Sequence, residues 1–320
     1  MPMLDKPLRE LEQYRGINPR PADFDAYWAR ALDEMHALGT DYTLAPAEFQ
    51  VPGVARCSEL TFTGVGGAQV HARFMQPLMF SGKRPAVLMF HGYKGKADSW
   101  RSMLAFAGAG FAVAAMDARG QGGASEDAAA AEQSTIYGQI VRGLDGEPED
   151  LFFRSVFLDT AQLARIVMAM DCVDENRVGA TGFSQGGALT LACGALEPRV
   201  RALASLGPFL SDYERVWEMD LDLDAYQELR DYFRHRDPLH RRHREVFERL
   251  GYIDVQHLAP RIQGRTLMGT GLLDNICPPS TQFAAYNHMN CEKEHLVFPD
   301  YKHEVPSEWD EAALLWLLRM

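Results

Sequence analysis

Short apolar runs at 86–90, 111–116, 178–181, 202–206, 265–268 and 295–298 punctuate the chain, with helical stretches between them. Runs of this length that do not alternate with polar residues suit strands covered on both faces. When a helix intervenes before the next strand, the two strands lie parallel. The pattern predicts an α/β fold: a mostly parallel central sheet with helices on both faces.

The first part of the chain reads differently. Phe24, Trp28, Leu32 and Met35 recur at helical spacing, with Pro21 suited to a first turn and Gly39 to a stop, which predicts an amphipathic helix. Leu60 and Phe62, then Val70, Ala72 and Phe74, alternate in period two around Gly64, Gly66 and Gly67, a β-hairpin expected at an antiparallel edge of the sheet. The whole of 1–320 is expected to be a single domain, with 1–80 an N-terminal extension carrying the edge hairpin. The charged helical stretch from about Asp220 to Leu250 interrupts the alternation and is read, within 211–255, as an insertion. There is no internal repeat and no low-complexity linker; the alanines at 128–131 are a short run in an acidic loop.

Composition bounds the function. Hydrophobic residues make up 47% of the chain, ample for a sizeable core. Residues 1–15 carry Asp5, Lys6, Arg9 and Glu10 and no apolar run, so neither a signal peptide nor a membrane anchor is expected, and a cytoplasmic location is. The 5 cysteines are odd in number and form no CxxC pair, which suggests neither a disulfide framework nor a zinc knuckle. A net charge of −12 opposes binding to nucleic acid or anionic membranes and favours neutral small-molecule substrates, although it also serves solubility.

The sharpest chemical signal is Gly182-Phe183-Ser184-Gln185-Gly186, directly after one apolar run and opening a helical stretch. A serine on a strand-to-helix turn projects above the sheet, and small neighbours let so tight a turn form. Such a nucleophile needs a histidine base and a carboxylate to hold the base in the right tautomer, here in the chain order Ser, Asp, His. Asp274 and His303 appear in that order, each just past the C-terminal end of an expected strand. The plainer alternatives are a helix cap for Asp274 and a surface-loop position for His303, with Asp300 as the second choice of carboxylate. A tetrahedral intermediate also needs backbone donors. Gln185 is one, and the other is expected in His91-Gly92-Tyr93-Lys94-Gly95, from Tyr93. Phe209, following the run at 202–206, either lines the substrate pocket or packs in the core. His235, His240 and His243 are interleaved with arginines whose charge opposes a divalent cation, so they read as a solvated basic face. Cys277 reads as packed or incidental.

With these residues in place, the chain resembles carbohydrate esterase family 7, the acetyl xylan esterase and cephalosporin C deacetylase family, an α/β-hydrolase fold. The resemblance rests on Arg119-Gly120-Gln121, Gly182-Phe183-Ser184-Gln185-Gly186 and His303-Glu304. It extends through the segment from Asn18 to Trp28, through Ile136-Tyr137-Gly138 to Arg142-Gly143, and through Asp274 to Thr281, with no departure at a motif position. It implies Ser184 as nucleophile, His303 as general base and then acid, Asp274 as its orienting partner, and the amides of Tyr93 and Gln185 as the oxyanion hole. Arg119-Gly120-Gln121 would hold loops near the site. The family also implies doughnut-shaped homo-hexamers whose sites open to an interior space, admitting small soluble esters.

The expected activity is therefore removal of acetyl groups from small carbohydrate-type esters through an acetyl-enzyme, without metal or organic cofactor. A general short-chain carboxylesterase of the same fold is the nearest alternative. A peptidase of this fold usually carries a large extra domain, a dienelactone-type hydrolase would have cysteine at position 184, and a non-catalytic binding protein would not need all of Ser184, Asp274 and His303.

Overall fold

Residues 4–79, 81–127, 137–221 and 224–320 are described by the structure, a computed structural model; the alanines at 128–131, Ile136 and positions 222–223 of the charged stretch lie outside them. Among the described residues nine strands, β1 (Tyr42–Pro46), β2 (Ala55–Thr63), β3 (Gln69–Pro77), β4 (Arg84–Phe90), β5 (Ala112–Met116), β6 (Val173–Phe183), β7 (Ala202–Leu206), β8 (Arg265–Gly271) and β9 (Lys293–Phe298), form one sheet in the order β1-β2-β3-β5-β4-β6-β7-β8-β9. From β5 to β9 every pairing is parallel. The pairings β1–β2, β2–β3 and β3–β5 are antiparallel.

The apolar runs became strands because both faces of the sheet are covered. Ala86, Leu88, Phe90, Ala112, Ala114 and Met116 belong to one core. The alternate residues Val87, Met89, Val113 and Ala115 belong to the other. The first core is closed by the helices Phe24–His36, Phe152–Met168 and Gln185–Leu196, and the second by Trp100–Gly108 and Ser307–Leu318. This is the expected α/β-hydrolase arrangement. Gln185–Leu196 is buried along its entire length. Its glycines explain how it sits so close to its neighbours: a Cβ at Gly186 would lie 1.9 Å from the Phe90 carbonyl oxygen, and one at Gly194 would lie 2.4 Å from a Leu203 methyl.

The hairpin has the expected pairing, Leu60 opposite Ala72 and Phe62 opposite Val70. It is not the edge of the sheet, however, because β1 pairs with β2 outside it. All five residues of β1 are exposed, so backbone hydrogen bonding rather than burial holds it there and no apolar alternation announces it.

Between β7 and β8 the chain runs through Tyr213–Glu218, Gln227–Arg236, His243–Leu250 and Val255–Leu258. His235 and His240 are exposed and His243 is half-buried, in keeping with a solvated basic face, although two of the rings also pack against aromatic neighbours. His240 packs against Trp217 at 5.3 Å and Phe233 at 4.9 Å between ring centroids, and His243 against Phe247 at 4.7 Å. Among the described residues no helix is long and apolar enough to cross a membrane.

Candidate active site

The turn after β6 carries the strain that the sequence implied. Ser184 has φ 60° and ψ −119°, a conformation that costs a non-glycine residue about 1–3 kcal/mol. Its backbone is braced on both sides: its N–H donates to the Leu206 carbonyl at 3.0 Å, and its carbonyl accepts from Phe209 and Ala188, each at 3.1 Å. The flanking glycines leave no room for side chains, since a Cβ at Gly182 would lie 2.4 Å from the backbone of Gly186.

His303, on the loop between β9 and the helix Ser307–Leu318, faces this turn. The Ser184 hydroxyl donates to its Nε2 at 2.9 Å, and its Nδ1–H donates to Asp274 Oδ2 at 2.8 Å. The Phe183 ring lies against the imidazole, 4.7 Å between centroids, and limits its rotation. Asp274 follows β8 and is 1% exposed. Its Oδ1 accepts the amides of Ile276 and Cys277 at 2.9 and 2.8 Å, while Oδ2 accepts Gln282 Nε2 at 3.0 Å as well as His303. Four donors compensate a buried carboxylate and fix its plane. With Nδ1 carrying the proton toward Asp274, Nε2 is left to accept the serine proton, so the arrangement can generate an alkoxide-like nucleophile. Asp300, the other carboxylate considered, is exposed.

Gln185 opens the helix Gln185–Leu196, where the first amides have no acceptor within the helix. The loop after β4 comes down beside it, since a Cβ at Gly186 would also lie 3.3 Å from the His91 carbonyl carbon. Gln121 ties the two together. Its Oε1 accepts the Lys94 amide at 2.9 Å and Gln185 Nε2 at 3.1 Å, and its own Nε2 donates to Gln185 Oε1 at 2.7 Å. His91 adds a second tie: Nδ1–H donates to the Gly92 carbonyl at 2.7 Å, and Nε2 accepts the Ala118 amide at 2.9 Å. That pattern requires the neutral ring, in keeping with burial pushing the His91 imidazole below its ordinary value. Arg119 faces away from Gln121, making a buried two-point pair with Asp159 at 2.7 and 2.6 Å and a bond to the Val65 carbonyl at 3.0 Å. In Arg119-Gly120-Gln121 the arginine thus secures the loop to the body, and the glutamine joins the segments bearing Tyr93 and Gln185.

Tyr93 is partly exposed beside this junction, its ring 5.4 Å from that of Phe209. Phe209 itself is fully buried, wedged against Tyr226 at 4.5 Å, so it supports Tyr93 from beneath and does not line a pocket. Cys277 is fully buried against Asp274, and burial pushes its thiol well above the ordinary value. Among the described residues the metal-ligating groups that cluster are Asp274, Cys277 and His303, within 4.8 Å of one another. In that cluster the bond between Asp274 and His303 already sets the imidazole up for proton transfer. Sequence reasoning missed the pairing of Gln121 with Gln185, the role of His91 and the buried Glu228 beneath Tyr93. Only the position of Gln121 in a family motif hinted at the first.

Comparison with known proteins identifies the family. The curated acetyl esterase Axe7A of Xylanibacter ruminicola is 27% identical over 312 residues, covering 96% of this chain and 69% of the relative. The crystal structure of acetyl xylan esterase 1 from Thermoanaerobacterium sp. JW/SL YS485 superposes with a TM-score of 0.95 at 52% identity, covering 99% of both chains. The acetyl xylan esterase from Paenibacillus sp. R4 superposes with a TM-score of 0.91 at 32% identity, covering 98% of this chain and 99% of that one. The family model for acetyl xylan esterase (AXE1) matches residues 1–320, and the chain, a carboxylic ester hydrolase, belongs to that family.

Proposed function

We propose that this member of the acetyl xylan esterase family removes acetyl groups from small carbohydrate esters, with Ser184 as nucleophile, His303 as base and acid, and Asp274 as the group that orients His303. The observation that carries the reading is the continuous hydrogen-bond chain from Ser184 Oγ through His303 to Asp274, at 2.9 and 2.8 Å, built on a strained serine. Ser184 Oγ attacks the acetyl carbonyl as its proton passes to His303 Nε2. The amides of Tyr93 and Gln185 take the charge that develops on the carbonyl oxygen. Collapse breaks the ester C–O bond, and His303 returns the proton to the departing alcohol. Water, deprotonated by the same nitrogen, then attacks the acetyl-enzyme and releases acetate.

Hydrolysis of p-nitrophenyl esters from acetate to octanoate, with acetylated xylo-oligosaccharide and cephalosporin C alongside, tests the reading in wild type and Ser184→Ala. Activity confined to short acyl chains and lost in Ser184→Ala is expected. Preference for long chains would replace the substrate class, and unchanged turnover in Ser184→Ala would remove the nucleophile assignment. The homo-hexamer implied by the family resemblance and the cytoplasmic location expected from the sequence belong to the same reading; analytical ultracentrifugation and cell fractionation test them.

A further inference from the structure

Glu228, in the helix Gln227–Arg236, is a carboxylate only 1% exposed, and it meets the site at Tyr93. It accepts the Tyr93 hydroxyl on Oε1 and the Ile140 amide on Oε2, the latter at 2.7 Å. The neighbouring Gly138 amide also favours the charged carboxylate, and the Gln139 amide acts in the same sense on the Tyr93 hydroxyl, so the backbone at 138–140 faces one carboxylate–phenol pair. Burial pushes the Glu228 carboxyl above its ordinary value, and Tyr93, Ile140 and Gly138 oppose that rise.

Tyr93 needs such an anchor. It lies outside any strand ladder, between Gly92 and Lys94, and Lys94 is held at φ 62°. An oxyanion-hole donor must be fixed to within about 0.5 Å to favour the transition state. The backbone of this loop is tied at Lys94 by Gln121, and the Tyr93 ring is packed against Phe153 and Phe209. The loop is further closed by the Gly95 amide on the Gly92 carbonyl, and a separate restraint acts at the tip of the ring, where Glu228 holds the hydroxyl.

We infer that Glu228 is a positioning residue for the reaction: by fixing the Tyr93 side chain it sets the place of the Tyr93 amide in the oxyanion hole, and so couples the segment between β7 and β8 to transition-state stabilisation. The inference rests on Ser184 being the nucleophile and the Tyr93 amide an oxyanion donor.

The test compares wild type, Glu228→Ala, Tyr93→Phe and the double variant, all as full chains. The readouts are kcat and KM on p-nitrophenyl acetate and the inhibition constant of a short alkyl trifluoromethyl ketone, which forms a hemiketal on the serine and places an oxyanion in the hole. Each single variant is expected to lower kcat about 10- to 100-fold with KM changed less than about threefold, and to weaken the ketone by the same factor as kcat. The double variant should be no worse than the weaker single, because both remove one restraint. A change that merely lowered the folded fraction would reduce kcat and leave the ketone constant unmoved, and that result overturns the inference. So does independent multiplication of the two effects. Should Glu228→Ala not fold, Tyr93→Phe carries the test, since it removes only a hydroxyl; unchanged kcat and ketone affinity there overturn the inference. If Ser184→Ala bound the ketone as well as wild type, the nucleophile assignment would fall, and the inference with it.

Discussion

Replacing Asp274 by asparagine tests the site with little change of shape, and the hydrogen bonds decide how the amide must sit. Oδ1 faces the Ile276 and Cys277 amides, backbone donors that cannot turn away. An NH2 group placed there would oppose both of them, leaving donors unsatisfied at about 1–3 kcal/mol each. The amide oxygen therefore takes the Oδ1 place, and the NH2 points to where Oδ2 accepted His303 Nδ1 and Gln282 Nε2. Gln282 can turn its amide only by giving up the bond that its Nε2 also donates to the Cys277 carbonyl. His303 has one way to avoid two facing donors, which is to move its proton to Nε2. That proton then points at Ser184 Oγ, 2.9 Å away, and the base can no longer accept. We expect kcat on p-nitrophenyl acetate to fall about 10⁴-fold, the loss known when a triad aspartate becomes asparagine, equivalent to about 5 kcal/mol of barrier. Thermal unfolding should be little changed. Nitrogen-15 NMR of the imidazole should show the proton moved from Nδ1 to Nε2. Activity within about tenfold of wild type, with the proton still on Nδ1, would refute the orientation argument.

Ser184→Gly removes both the hydroxyl and the cost of a side chain at φ 60°, so it should abolish turnover while raising stability by about 1 kcal/mol or more, read from the urea midpoint. Gln121→Leu deprives the Lys94 amide of its acceptor and Gln185 of its partner; kcat should fall about 10- to 100-fold in a protein that still melts cooperatively by circular dichroism. His71 lies between Asp117 at 2.7 Å and Glu59 at 2.8 Å, and these carboxylates, Asp117 foremost, hold the imidazole above its ordinary value of 6.5. The stabilisation is then complete below pH 6.5 and lost as pH rises through the raised value, so wild type should lose its stability advantage over His71→Asn as pH rises above 6.5 in urea titrations.

How much of this was legible in the sequence depended on burial. The strands β4, β5, β7 and β8 announced themselves because their residues face a core on each side of the sheet. The start of β6 did not, since Asp174 to Arg177 continue the strand as polar residues. Exposed β1 left no trace, and that in turn made the hairpin look like an edge. Ser184, Asp274 and His303 were readable because each follows a recognisable strand and the reaction fixes their order. The pairing of Gln121 with Gln185 and the seat of Glu228 depend on distances across the fold. Nothing local distinguishes a buried glutamate in a charged stretch from its solvated neighbours. Phe209 was left open for a related reason, since an aromatic residue after a strand suits a pocket wall and a core equally well.

The helix that begins at Gln185 has a consequence for anyone reshaping this enzyme. Every residue of it is buried, and Gly186 and Gly187 touch backbone while Gly194 touches the Leu203 side chain, so a library that varied it would mostly yield chains that no longer assemble. Diversity would be better spent on the helices between β7 and β8. There, exposed side chains alternate with buried ones, and a change can reach the loop holding Tyr93 without disturbing the scaffold that carries the serine. The same division shows where natural variation can retune selectivity: the immovable helix preserves the reaction, and the opposite bank is open to drift.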